Sequence, residues 1–149
     1  MPLAANTPQD RVEQLIILTE RLTGLIERET DLLKERRPNE IADFQDERAK
    51  LSNLYAQEME LIKHNKSLIE DAPDNLKQEL KDRTGAFHSC LDEHKAYLTR
   101  IRSVTEGMVR AVADEISKKN KADAGYGKDG KVQTHERAAS AFLAVHEVI

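Results

Sequence analysis

Residues 8–37 read PQDRVEQLIILTERLTGLIERETDLLKERR, and the spacing of their apolar positions decides the fold class. Val12, Leu15, Leu18, Leu22, Leu25 and Leu32 recur in steps of three and four, with Glu29 standing in for one further member. That period places them on one face of an α-helix, in coiled-coil rhythm. Ile16, Ile26 and Leu33 widen the face beyond a single seam, so the helix has to meet more than one neighbour. Thr7 offers a side-chain oxygen as N-cap, Pro8 takes the first helical position and Asp10 sits in the first turn, a helix start in three consecutive signals. Arg36 and Arg37 are expected to close the helix, where cations complement its C-terminal partial charge.

Working outward, Pro38 and Pro73 repeat the start signal, because proline suits a first turn and breaks an interior. The second helix is expected over 38–70, with a seam of Ile41, Phe44, Arg48, Leu51, Tyr55, Glu58, Ile62, Asn65 and Ile69. Leu54, Leu61 and Leu68 flank that seam. Arg48, Glu58 and Asn65 are expected at its edge, snorkelling or pairing; a buried Asn65 that fixes register is the minor alternative. The third helix is expected over 73–119, capped by Asp71. Its stripe runs Leu76, Leu80, Thr84, Phe87, Leu91, His94, Leu98, Ile101, Thr105, Met108, Val112, Ile116. Short connections make successive helices antiparallel neighbours. The expected fold is therefore all-α: an antiparallel bundle of three long helices with coiled-coil-like packing over 1–120, and a flexible C-terminal tail over 121–149. The run KADAGYGKDGK, residues 121–131, holds three glycines in six residues and opens that tail. Ala138, Phe142, Val145 and Ile149 then fall on one face of a short amphipathic helix.

Composition agrees. The chain has 149 residues, 39% apolar and 34% charged, with only 4% aromatic, which suits long helices burying one stripe each. A net charge of −4 gives no pull toward nucleic acid. The surplus acid sits on the second helix, where residues 38–72 carry 8 acids against 4 bases. Lys118, Lys119, Lys121, Lys128 and Lys131 form the one basic run, read as a solvated helix end. Cys90 is the lone cysteine, so no internal disulfide is expected. With no stretch of signal-peptide or membrane-span length, a cytoplasmic protein is expected.

Residues that invite chemistry do not assemble into it. His88, Cys90, Asp92, Glu93 and His94 are close in sequence, but only Cys90 and His94 share the i, i+4 spacing that brings two ligands to one helix face. Two ligands do not complete a tetrahedral metal site. Cys90 is read as a small core residue, and His94 as the end of an apolar seam with one ring nitrogen solvated. No catalytic order of Ser, His and Asp and no phosphate-binding glycine loop is present, so no enzyme activity, metal or cofactor is expected.

The third helix is longer than the second. Folded back on it, the third helix is expected to outrun its partner and leave Met108, Val112 and Ile116 uncovered, a mark of an interaction surface. The covering element could be the chain's own C-terminal segment, a second copy in a homodimer, or another protein.

The stretches LTERLTGLIERETDLLKERRPNEIADFQDERAKLSNLY and EMELIKHN, residues 18–55 and 58–65, resemble the FlgN-like flagellar export chaperones, in particular their alphaproteobacterial branch. The likeness rests on Glu29 before Leu32–Leu33, the break at Arg37–Pro38, Ile41 and Lys50–Leu51, and the later Tyr126, Gly127 and Gly130. The resemblance implies a small cytoplasmic chaperone that binds the terminal helices of hook–filament junction (hook-associated) proteins. It would prevent their premature assembly and deliver them to the type III export apparatus. The expected cargo contacts are Met108, Val112 and Ile116 on the third helix, with Phe142 and Val145 in the tail. The competing expectation is a general coiled-coil adaptor or regulator that self-associates through its seams.

Overall fold

The computed structural model describes residues 3–124, and among them the regular structure is entirely helical. A long helix α1 spans Pro8–Lys34. A 3-10 turn, Pro38–Ile41, leads into α2, Ala42–His64. A single-turn helix α3, Ser67–Glu70, precedes the long α4, Asp74–Ala124. By compactness the chain divides into two units, Met1–Ser103 and Val104–Ile149.

The start of α1 is the one the sequence signals. Thr7 is in extended conformation, its Oγ1 accepts a hydrogen bond from the Asp10 N–H at 3.1 Å, and Pro8 takes the first turn. Its end is different. The helix stops at Lys34, and Arg36 adopts φ 60°, in the left-handed region that glycine usually fills. The Arg36 N–H donates to the Leu33 carbonyl at 3.2 Å and the Arg37 N–H to the Leu32 carbonyl at 2.8 Å. That pair is a Schellman closure. Arg36 and Arg37 therefore lie beyond the helix rather than inside its last turn.

The expected second helix is also broken. Pro38 opens a 3-10 turn and not an α-helix. Asn65, at φ −138° and ψ 87°, leaves helical geometry and ends α2. The run His64–Ser67 has no apolar side chain between Ile62 and Leu68, so no core contact holds it helical. The Asn65 carbonyl then accepts from the Leu68 N–H, and its side-chain oxygen from the Ser67 hydroxyl at 2.6 Å. Asn65 is exposed, so it marks a break and not a buried register point. Asp71 ends α3 rather than capping the next helix. The Pro73 carbonyl opens α4 by accepting from the Leu76 and Lys77 N–H groups, each at 3.1 Å. Among the described residues the three expected long helices are thus accompanied by a short fourth helix and a 3-10 turn.

Cross-helix pairs in the first unit fix the directions. Arg11 meets Glu58 and Arg21 meets Glu47, so numbers fall on α2 as they rise on α1. Glu20 meets Arg83 at 3.0 Å and Lys34 meets Glu93 at 2.9 Å, so α4 runs in the direction of α1. Val12, Leu15, Ile16, Leu18, Leu22 and Ile26 of α1 form the core with Ala72, Leu80 and Phe87. Leu51, Leu54, Tyr55, Met59 and Ile62 of α2 close over it, half-buried. The Tyr55 and Phe87 rings meet edge to face, centroids 5.1 Å apart, in the geometry their quadrupoles favour.

One polar member of the α2 seam lies inside this core. Glu58 is fully buried, against the expectation that it sits at an edge. Its carboxylate accepts from the Leu3 N–H at 2.6 Å and is ion-paired with the nearly buried Arg11 guanidinium. A charge taken out of water needs such partners on both oxygens. The contact also ties the segment before α1 to α2.

Three stability outcomes follow from these features. Arg11→Ala leaves the Glu58 charge buried with one donor, and urea denaturation should show a loss of about 3–5 kcal/mol. Arg21→Ala, which removes an exposed pair, should leave the midpoint nearly unchanged. Arg36→Gly removes the left-handed strain and should raise stability by about 1 kcal/mol in the same assay.

Candidate functional site

The second unit carries the surface most unlike an ordinary soluble exterior. Within it, α4 continues from Val104 to Ala124, and no described residue there is buried. Val104, Met108, Val112 and Ile116 are 52%, 65%, 49% and 40% exposed, and Val109 beside them is 39% exposed. Four-residue steps turn 400° and rise about 6 Å on a helix, so these side chains form one ridge that winds slowly about the axis. Isolated apolar side chains on a surface need no explanation, but a contiguous row does. Lys118, Lys119 and Lys121 follow the ridge, all exposed.

Met108, Val112 and Ile116 are thus together on one accessible ridge. Val104 and Val109 belong to it as well, and the same four-residue ladder read backward from Met108 is the signal that reaches Val104. Phe142 and Val145 lie outside the described residues.

A second concentration of chemistry is buried in the first unit, where α1, α2 and α4 meet. Glu29, Thr30 and His94 are each less than a tenth exposed. His94 Nδ1 lies 2.8 Å from Thr30 Oγ1, and His94 Nε2 lies 3.6 Å from Glu29 Oε1. Glu29 Oε2 faces Arg48 Nε of α2 at 3.1 Å, as an ion pair out of line for a hydrogen bond. Thr30 Oγ1 is also 2.9 Å from the Ile26 carbonyl. Its single proton serves either that carbonyl, with Nδ1–H donating to Oγ1, or Nδ1 itself. His94 therefore has both ring nitrogens turned toward protein groups, where one solvated nitrogen was expected. Arg48, expected at the seam's edge, is half-buried and paired with Glu29. Local sequence does not show this cluster, because its members come from three helices.

The remaining candidates are plain. Cys90 is half-buried with its thiol 3.8 Å from the Thr23 carbonyl. Burial first, then Glu27 and Glu93, pushes its ionisation up and away from thiolate, which disfavours nucleophilic or ligand chemistry. Among the described residues no group of three or more His, Cys, Asp or Glu is placed to hold a metal ion. A cleft of about 250 Å³ is lined by Glu27, Thr30, Asp31, Lys34, Cys90 and Glu93. It is smaller and more polar than typical small-molecule sites. No described helix is long and apolar enough to cross a membrane.

Comparison with known proteins adds an independent line. No protein-family model matches the chain, and no solved structure does. The chain is 37% identical over 143 residues to the flagellar basal-body protein FlbY of Caulobacter vibrioides, a match that covers 95% of this chain and 96% of that protein. Identity of that level over nearly the whole of both chains shows common descent. The chain, helical throughout its regular structure among the described residues and with an exposed ridge on α4, belongs to the family of the flagellar basal-body protein FlbY.

Proposed function

We propose that this protein serves flagellum assembly as a cytoplasmic export chaperone. In this reading it binds the terminal helices of hook–filament junction proteins, keeps them from assembling early and presents them to the type III export apparatus. The flagellar part rests on the kinship with FlbY. The chaperone part is carried by one observation, the exposed ridge of Val104, Met108, Val112 and Ile116. A ridge of i, i+4 side chains is the shape that enters the groove of a second helix. A subunit end that must stay helical but unassembled offers an amphipathic face for it. No catalytic step is part of this function.

Self-association through the coiled-coil seams is the weaker reading. Leu22 and Leu25, the seam residues that would drive it, are already buried inside the first unit. A second copy would have to use the α4 ridge instead, in competition with the proposed cargo.

The test is calorimetric titration of the full chain with peptides spanning the terminal helices of the junction proteins. Each exposed side chain that becomes buried contributes roughly 1.5–3 kcal/mol. Met108→Asp and Val112→Asp should therefore each weaken binding by about tenfold to a hundredfold, with the helical circular dichroism unchanged. Unchanged affinity in both variants would refute the ridge as the cargo site. If a chain ending at Ala124 then failed to bind, the contacts would lie in the segment that holds Phe142 and Val145.

A further inference from the structure

The buried rows of α1 and α4 in the first unit share a seven-residue period. On α1 the row is Leu15, Leu22, Glu29; on α4 it is Leu80, Phe87, His94, with Ile101 next. Sliding α4 along α1 by one period, about 10 Å, would still set apolar against apolar at one of these levels, Leu15 against Phe87 in one direction or Leu22 against Leu80 in the other. Apolar contact thus does not by itself exclude the slid alignments. Chain length does not exclude them either. Residues 65–73 join α2 to α4, and nine residues can span roughly 30 Å when extended.

What a slide would break is the polar cluster. Glu29 would lie against Phe87 or Ile101 in place of His94. Its carboxylate would keep only Arg48, and the His94 ring would lose both Thr30 and Glu29. The other charges near this level, Lys34 of α1 and Glu93 of α4, pair with each other at the exposed rim. Exposed pairs discriminate weakly between alignments.

We infer that Glu29, Thr30 and His94, closed from α2 by Arg48, form a register pin. The cluster sets the axial position of α4 on α1 and contributes alignment rather than net stability. Buried polar groups have this role in coiled coils, where one polar position excludes alternative registers at a cost in stability. The need is greatest for α4. The shorter connection between α1 and α2, residues 35–41, already restricts how far α2 can slide, while Arg11–Glu58 marks its position.

The inference is tested with spin labels on cysteines placed at the exposed positions Glu13 and Ala96, in a Cys90→Ser background. Pulsed dipolar spectroscopy on the parent should give one narrow distance. The fourfold variant Glu29→Leu, Thr30→Val, Arg48→Leu, His94→Leu should keep or raise the urea midpoint and show a second distance displaced by up to about 10 Å. Thr30→Val with His94→Leu, which keeps the Glu29–Arg48 pair, should show the same second distance at lower weight. A single unchanged distance in both variants would overturn the inference. So would unfolding of the fourfold variant, because the cluster would then supply stability.

Discussion

The two-sided burial of α1 governs the first unit. Eleven of its residues are buried, against one on α2 and three on α4. No single partner helix can cover a stripe that wide. One face of α1 takes α2 through Arg11–Glu58 and Arg21–Glu47, and another takes α4 through Thr30–His94 and Glu20–Arg83. The other helices can then be far more polar than α1, because each supplies only one stripe. This division explains how a chain with 39% apolar residues and no tryptophan builds a core.

That asymmetry also explains what was legible in the sequence. Val12, Leu15, Leu18, Leu22, Leu25 and Leu32 can be read as a core from spacing alone and are all buried, because a 3.6-residue period has one meaning when the stripe is dense. The helix ends were less legible. The left-handed position after α1 is held by Arg36 and not by the glycine that would have announced it, so the helix appeared to run on to Arg37. The break at Asn65 carries no proline or glycine. It follows from missing core contacts between Ile62 and Leu68, which a periodic pattern bridges easily.

The misread residues share a cause. Glu58 and His94 sit in apolar rows, and the ordinary preference of such groups for water places them at an edge. What holds them inside is a partner on another helix, 47 residues away for Glu58 and 64 for His94. No local pattern records such a pair. In the rows on α1 and α2, Glu29 and Glu58 each follow two apolar residues at seven-residue intervals, as Leu15–Leu22–Glu29 and Phe44–Leu51–Glu58. The same spacing at Ile101–Met108–Glu115 ends on an exposed acid, so the row alone does not announce burial; the partner on another helix decides it.

The second unit shows the opposite departure. In the first unit, charges lie inside and each has its reason within the chain: Glu58 has Arg11 and the Leu3 N–H, and Glu29 has His94 and Arg48. From Val104 onward, large apolar side chains lie outside, and among the described residues none is buried by a neighbouring helix. A buried charge without a partner is removed by unfolding, so its compensation must be intramolecular. An exposed apolar ridge leaves folding of the first unit untouched, so its compensation can come from another molecule. The two units thus differ in where their unusual residues find compensation: inside the chain for the charges of the first unit, and not within the described residues for the apolar ridge of the second.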